Sequence, residues 1–194
     1  DQNLGRNQLV LDMSKSEVID YLYNSISEIL SKYEVDYVKW DHNRVLPIVD
    51  ANQTYGLYEL LARLNRSYPE VEIESCSSGG GRMDFGILDF TQRLWLSDSN
   101  DAVERMQIQN NSAMFFPPSV IGCHVGPRKC HTTGREIDIS TRAWVAAQGH
   151  LGFEFDLNEL SDDEKLILKE VAKWWKGNRY WRMDALRYRL DMHD

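Results

Sequence analysis

The sequence predicts an α/β fold of about five parallel strands alternating with helices, and three observations predict it. Short runs of β-branched and aromatic residues alternate with stretches of helical period along the whole chain. Two of those stretches open on a serine followed three residues later by a glutamate, a helix-start spacing. The runs also end in polar or glycine-rich clusters, where strands of a parallel sheet meet their ligands.

The elements follow in order. Ser14-Lys15-Ser16-Glu17 opens a predicted helix over residues 14–33, with Val18, Leu22, Ile26, Ile29, Leu30 and Tyr33 at helical intervals. Residues 35–41, carrying Val35, Tyr37, Val38 and Trp40, read as a strand that ends at Asp41. Leu57, Leu60, Leu61 and Leu64 predict a helix over 55–66, closed by Pro69. A strand over 71–76 runs into the turn Ser77-Ser78-Gly79-Gly80-Gly81, and another is predicted over 93–97. Then come a helix over 101–113, a strand near 119–124, a loop with Pro127 and Gly134, a helix around 141–148 and a strand over 151–155. Ser161-Asp162-Asp163-Glu164 opens the last helix, which runs through Leu168, Val171 and Trp175. No linker or low-complexity stretch divides residues 1–194, so a single domain is expected.

Composition narrows the function classes. Of 194 residues 42% are apolar, 11% aromatic and 27% charged, the profile of a soluble globular protein and not of a disordered one. The 22 basic and 30 acidic residues give a net charge of -8, the wrong sign for a phosphate backbone, so no nucleic acid partner is expected. Apolar runs fall short of the roughly 18 residues a membrane span needs, and the first residues lack a signal-peptide pattern; no membrane partner is expected. Cys76, Cys123 and Cys130 form no disulfide framework, and their odd number fits a reducing, cytoplasmic setting.

Two aspartates, Asp41 and Asp98, fall at the ends of alternate strands. A pair of carboxylates facing each other across a pocket is the working apparatus of glycoside hydrolysis, one attacking the sugar and the other protonating the leaving oxygen. The plain alternative is that Asp41 and Asp98 cap loops or pair with Lys39 and Arg44.

The fuller motifs decide in favour of chemistry. Lys39-Trp40-Asp41-x-Asn43-Arg44, Cys76-Ser77-Ser78-Gly79-Gly80-Gly81-Arg82-x-Asp84 and Ser97-Asp98-x-x-Asp101-Ala102 resemble, in order and approximate spacing, the motifs of glycoside hydrolase family 36, the bacterial α-galactosidases. Gly5-Arg6-Asn7-Gln8, Gly122-x-His124-Val125 and His131-x-Thr133-Gly134-Arg135 also resemble that family. The resemblance implies a partial (β/α)8 TIM barrel and a retaining α-galactosidase that cleaves terminal galactose from melibiose- or raffinose-type oligosaccharides, without cofactor or metal. It implies Asp41 as nucleophile and Asp98 as general acid and base, with Arg6, Lys39, Cys76 and Gly79 lining the galactose subsite. The stretch from Asp41 to Cys76 is about nine residues shorter than the family pattern, so the loop around residues 47–53 is expected to be trimmed.

The residues themselves fit these roles. Lys39 and Arg44 are expected to favour an ionised Asp41, and burial of Leu94-Trp95-Leu96 to favour a protonated Asp98. Asp101 is the rival acid, but Asp101-Ala102-Val103-Glu104 has the spacing of a helix cap. Cys76 lacks a local histidine partner and reads as a buried contact, not a nucleophile. The glycine turn lacks a phosphate loop's Gly-Lys-Ser/Thr ending, and Arg82 and Asp84 are read as a pair that stiffens it. Cys123-His124 and Cys130-His131 have the wrong gap for zinc, and no metal is expected. Trp144, Trp174 and Trp175 read as core, and Lys165, Lys169 and Lys173 as a solvated stripe.

Competing readings are an α-N-acetylgalactosaminidase or a transglycosylase on the same scaffold, or an inactive barrel fragment serving as a sugar-binding or assembly module. A barrel closes with eight strands and about 250 residues, whereas this chain supplies five strands. The family pattern places three barrel strands and a β-domain before this region and another β-domain after it. The chain is therefore expected to be part of a catalytic unit that forms a homo-oligomer or associates with missing barrel segments.

Overall fold

The computed structural model describes residues 7–44 and 50–188. They fall into two compact units, Asp1–Leu94 and Trp95–Asp194, with the boundary inside the third strand. The first unit contains α1 (Ser16–Lys32), β1 (Tyr37–Trp40), α2 (Ala51–Ser67), β2 (Glu72–Ser75) and the start of β3 (Arg93–Trp95). The second contains α3 (Ala102–Ser112), β4 (Ile121–Val125), α4 (Ile139–Ala146), β5 (His150–Phe153) and α5 (Asp162–Asp184).

In the first unit β1 pairs parallel with β2, Lys39 opposite Glu74 and Trp40 opposite Ser75. β2 in turn pairs parallel with β3, Glu74 opposite Arg93. The leucines predicted on one helix face bury as expected, Leu57, Leu60, Leu61 and Leu64 all lying within the unit. Each contributes about 1.5–3 kcal/mol of apolar transfer. The helix begins earlier than predicted because Asp50 accepts a hydrogen bond from the Asn52 amide at 2.9 Å. Residues 50–53, expected within a trimmed loop, are thus the cap and first turn of α2; residues 47–49 lie outside the described residues.

α1 departs from expectation at its start. Lys15, not Ser14, is the N-cap and makes no side-chain cap, while the Ser14 hydroxyl turns back to Asp12. Ile19 supplies its one fully buried residue; Val18, Leu22, Ile26 and Leu30 are half-buried, and Ile29 and Tyr33 are exposed.

In the second unit β4 pairs parallel with β5, Gly122 opposite His150 and His124 opposite Gly152. α3 has no apolar stripe because the face it buries is Ala102, Arg105 and Gln109. These polar groups are satisfied internally: Arg105 donates to the Ser97 and Gly122 carbonyls at 3.0 Å each, and Gln109 donates to the Val145 carbonyl at 3.0 Å. Asp138 caps α4, and α5 carries the predicted capping box between Ser161 and Glu164. Leu168 and Val171 bury as expected. Trp144 and Trp174 form an edge-to-face pair on the surface instead of in the core. Trp175 is half-buried, its indole donating to the Gly149 carbonyl at 2.8 Å. Among the described residues no helix is long and apolar enough to cross a membrane.

Candidate active site

The carboxyl ends of β1 and β2 lie side by side, and three of the predicted residues meet there. Asp41 follows β1 directly and Cys76 follows β2; the Cys76 amide donates to the Trp40 carbonyl at 2.9 Å and the His42 amide to the Cys76 carbonyl at 3.1 Å. Asp41 is surrounded by donors. The His42 amide reaches Oδ1 at 2.8 Å, and the Asn43 side-chain amide reaches Oδ2. Burial pushes the Asp41 carboxyl up, but hydrogen bonds from the Cys76 thiol, Asn43 and the His42 and Ser78 amides outweigh it and hold the group below its ordinary value of 3.8.

Gly79 completes the cluster. Ser77 to Gly81 form a tight turn in which the Gly81 amide donates to the Ser77 carbonyl at 3.0 Å. Ser78 and Gly79 both take positive φ, 47° and 83°, and a Cβ on Gly81 would stand 2.6 Å from the Ser77 carbonyl oxygen. Asn43 ties this turn to the aspartate, its Oδ1 accepting from the Ser78 amide at 2.9 Å.

The two cations have partners of their own. Lys39 lies 3.4 Å from Glu74, its register partner on β2 and a carboxylate 1% exposed. Arg44 donates to the Asn43 carbonyl and to Gln8. The largest influences that hold Asp41 ionised are hydrogen bonds from neutral donors. Burial also pushes the Cys76 thiol up to about 11, a neutral donor and no nucleophile at pH 7. Arg6 lies outside the described residues.

Arg82 and Asp84 do not pair. Arg82 donates to the Trp40 and Cys76 carbonyls at 2.9 and 2.8 Å, clamping the two strand ends that carry Asp41 and Cys76. Asp84 instead accepts from the Tyr58 hydroxyl and the Ile87 amide. The arginine's clamp and the bridging role of Asn43 were hidden in the sequence, although both residues stand in the quoted motifs.

In the second unit Asp98 follows β3. Leu94, Trp95 and Leu96 are buried, but burial stops short of Asp98, whose side chain is exposed and accepts a hydrogen bond from the Trp95 indole at 3.0 Å. Among the described residues the apolar setting predicted for Asp98 is therefore not formed. Asp101 is fully buried and caps α3, accepting from the Val103 and Glu104 amides, from Thr133 at 2.6 Å and from Arg135 at 2.8 Å. Burial pushes its carboxyl up, yet these four partners hold it below its ordinary value. Cys123 is engaged with Gln109 and Arg105, Cys130 with Thr132, and His124 with Glu154.

A family model described as melibiase matches residues 1–184. The chain belongs to the melibiase family. An α-galactosidase of Escherichia coli is 42% identical over 201 residues, a match that takes in all of this chain and 28% of that protein. The α-galactosidase AgaA of Geobacillus stearothermophilus is 37% identical, over 96% of this chain and 27% of its own length. The chain thus spans little more than a quarter of the length of these two relatives.

Solved structures agree on the fold. The galactosidase domain of the α-galactosidase–sucrose kinase AgaSK superposes with a TM-score of 0.87 at 38% identity over 93% of this chain. The family 36 α-galactosidase AgaA of Geobacillus stearothermophilus gives a TM-score of 0.87 at 36% identity over 92%. Five strands alternating with helices match part of the family's TIM barrel. Variants of AgaA are known in complex with raffinose and with stachyose.

Proposed function

We propose that this melibiase-family chain supplies the nucleophile and the general acid and base of a retaining α-galactosidase acting on terminal galactose of raffinose-type oligosaccharides. The observation that carries the reading is the Asp41 carboxylate, set at a strand end and kept ionised by the donors of Cys76, Asn43, His42 and Ser78. An Asp41 oxygen attacks the galactose anomeric carbon while Asp98 delivers a proton to the departing glycosidic oxygen. A covalent galactosyl ester forms and the glycosidic bond breaks. Asp98, now ionised, takes a proton from water as that water attacks the ester, releasing galactose with retained configuration and restoring both carboxyl groups.

Arg6, Lys39, Cys76 and Gly79 are assigned to the galactose subsite. The Lys39 ammonium and the backbone of the glycine turn suit the sugar's hydroxyls. The relatives crystallised with raffinose and stachyose support an α-galactoside as substrate.

The test is a pair of substitutions in an active polypeptide, this chain or a longer one containing it. Asp41→Ala is expected to abolish cleavage of every α-galactoside. Asp98→Ala is expected to lower kcat/KM about a hundredfold or more for substrates with poor leaving groups while largely sparing activated aryl galactosides, since only the former need a proton. Equal losses on both substrate types would remove Asp98 from the role.

A further inference from the structure

We propose that Trp95 and Arg105 are positioning residues for the Asp98 carboxyl, an inference that rests on Asp98 being the general acid and base. Asp98 is exposed, and an exposed aspartate rotates among several side-chain conformers unless a neighbour selects one. Trp95, the last residue of β3, is 2% exposed, and its indole N–H donates to Oδ1 of Asp98 at 3.0 Å. An indole N–H can only donate. Oδ1 is therefore the acceptor whether Asp98 is ionised or protonated, and the proton that the reaction moves resides on Oδ2.

The donor is itself held in place. The Trp95 ring lies 4.4 Å from the His124 ring, centroid to centroid, and the Arg105 guanidinium stands 4.9 Å from its centroid. A cation over an indole face is attracted by the ring's quadrupole. Arg105 is 3% exposed, and besides the ring it binds the Ser97 carbonyl at 3.0 Å, the group joined directly to the Asp98 amide. It also reaches the Gly122 carbonyl on β4 at 3.0 Å and Gln109 at 3.2 Å. One arginine thus fixes both the backbone entering Asp98 and the ring that holds its carboxylate.

His124 on β4 packs on this ring and lies 3.1 Å from Glu154, just after β5. Removing the N–H frees the carboxyl to rotate away from its aim, so proton delivery becomes less efficient.

The experiment uses Trp95→Phe, which keeps an aromatic ring against Arg105 and His124 but deletes the N–H, in an active polypeptide containing this chain. The kcat/KM for a poor-leaving-group galactoside is expected to fall about tenfold. An activated aryl galactoside and the affinity for 1-deoxygalactonojirimycin are expected to change less than about twofold, a split that mere loosening of the fold does not give. Asp98→Ala is run beside it. If that variant lacks the leaving-group dependence, the acid assignment itself fails; if it has the dependence and Trp95→Phe leaves the ratio of the two substrates unmoved, the positioning role is overturned. Nuclear magnetic resonance of the unsubstituted protein gives a second readout that needs no variant to fold. The Trp95 indole N–H is expected to exchange with solvent slowly, as a hydrogen-bonded proton does, and exchange as fast as that of a free indole contradicts the proposal.

Discussion

Asp41 carries its setting almost entirely in neutral hydrogen-bond donors, and that makes its ionisation sensitive to single side chains. Asn43→Ala removes one donor and the tie to the Ser78 turn. The Asp41 carboxyl should then rise toward its ordinary value of 3.8, since the lost bond favoured the charged form. A nucleophile must be ionised, so the acid limb of kcat/KM is expected to move to higher pH, measured from neutral pH down to about pH 3. An unmoved acid limb would show that Asn43 does not tune Asp41. The motif residues made Asp41 legible from sequence, but its partners were not. Lys39 and Asp41 share a strand face, yet Lys39 is claimed by Glu74, because register sets cross-strand pairing and register is invisible in a single strand's sequence.

Two of the three helix starts read from a local chemical signature were legible, the Ser14–Glu17 spacing being the exception. The Ser161–Glu164 box and the Asp101 cap follow from short-range hydrogen bonding, and both helices begin where those residues place them. α3 shows the opposite case: its buried face is Arg105 and Gln109, whose burial depends on carbonyls of distant segments that no helical period reveals. The cap of α3 does more than start a helix, since Asp101 also binds Thr133 and Arg135 from the loop before α4. Asp101→Ala is expected to cost about 2–3 kcal/mol, the cap plus buried partners left unmatched. Denaturant unfolding checks it as a lowered midpoint at an unchanged slope, and a loss below about 0.5 kcal/mol would contradict the role. Its folded-state pKa is depressed, so this stabilisation is present above pH 3.8 and is lost as the pH falls through the folded value. Gly81→Ala should break the turn beside Asp41, because the added methyl meets the Ser77 carbonyl oxygen at 2.6 Å; activity is expected to fall while the helices, followed by circular dichroism, remain.

The described residues carry five strands, and the chain spans about a quarter of the length of its α-galactosidase relatives. Strand count was readable from alternation, whereas the division into two compact units was not, because no change of composition marks residue 94. By itself the chain exposes large apolar side chains, among them Phe85 in the first unit and Met114, Phe115, Tyr180 and Trp181 in the second. Such surface favours association. The purified 194-residue chain is therefore expected to self-associate in ultracentrifugation and to hydrolyse α-galactosides poorly; a monomer with full turnover would contradict this. The central claim, that Asp41 attacks the sugar, is tested most directly by covalent trapping. An active polypeptide containing this chain is treated with a 2-deoxy-2-fluoro-α-galactosyl substrate, which slows hydrolysis of the ester, and is then digested and mapped by mass spectrometry. The account predicts one fluorosugar per active site, attached to Asp41. A label on any other residue, or inactivation without a covalent adduct, would contradict it.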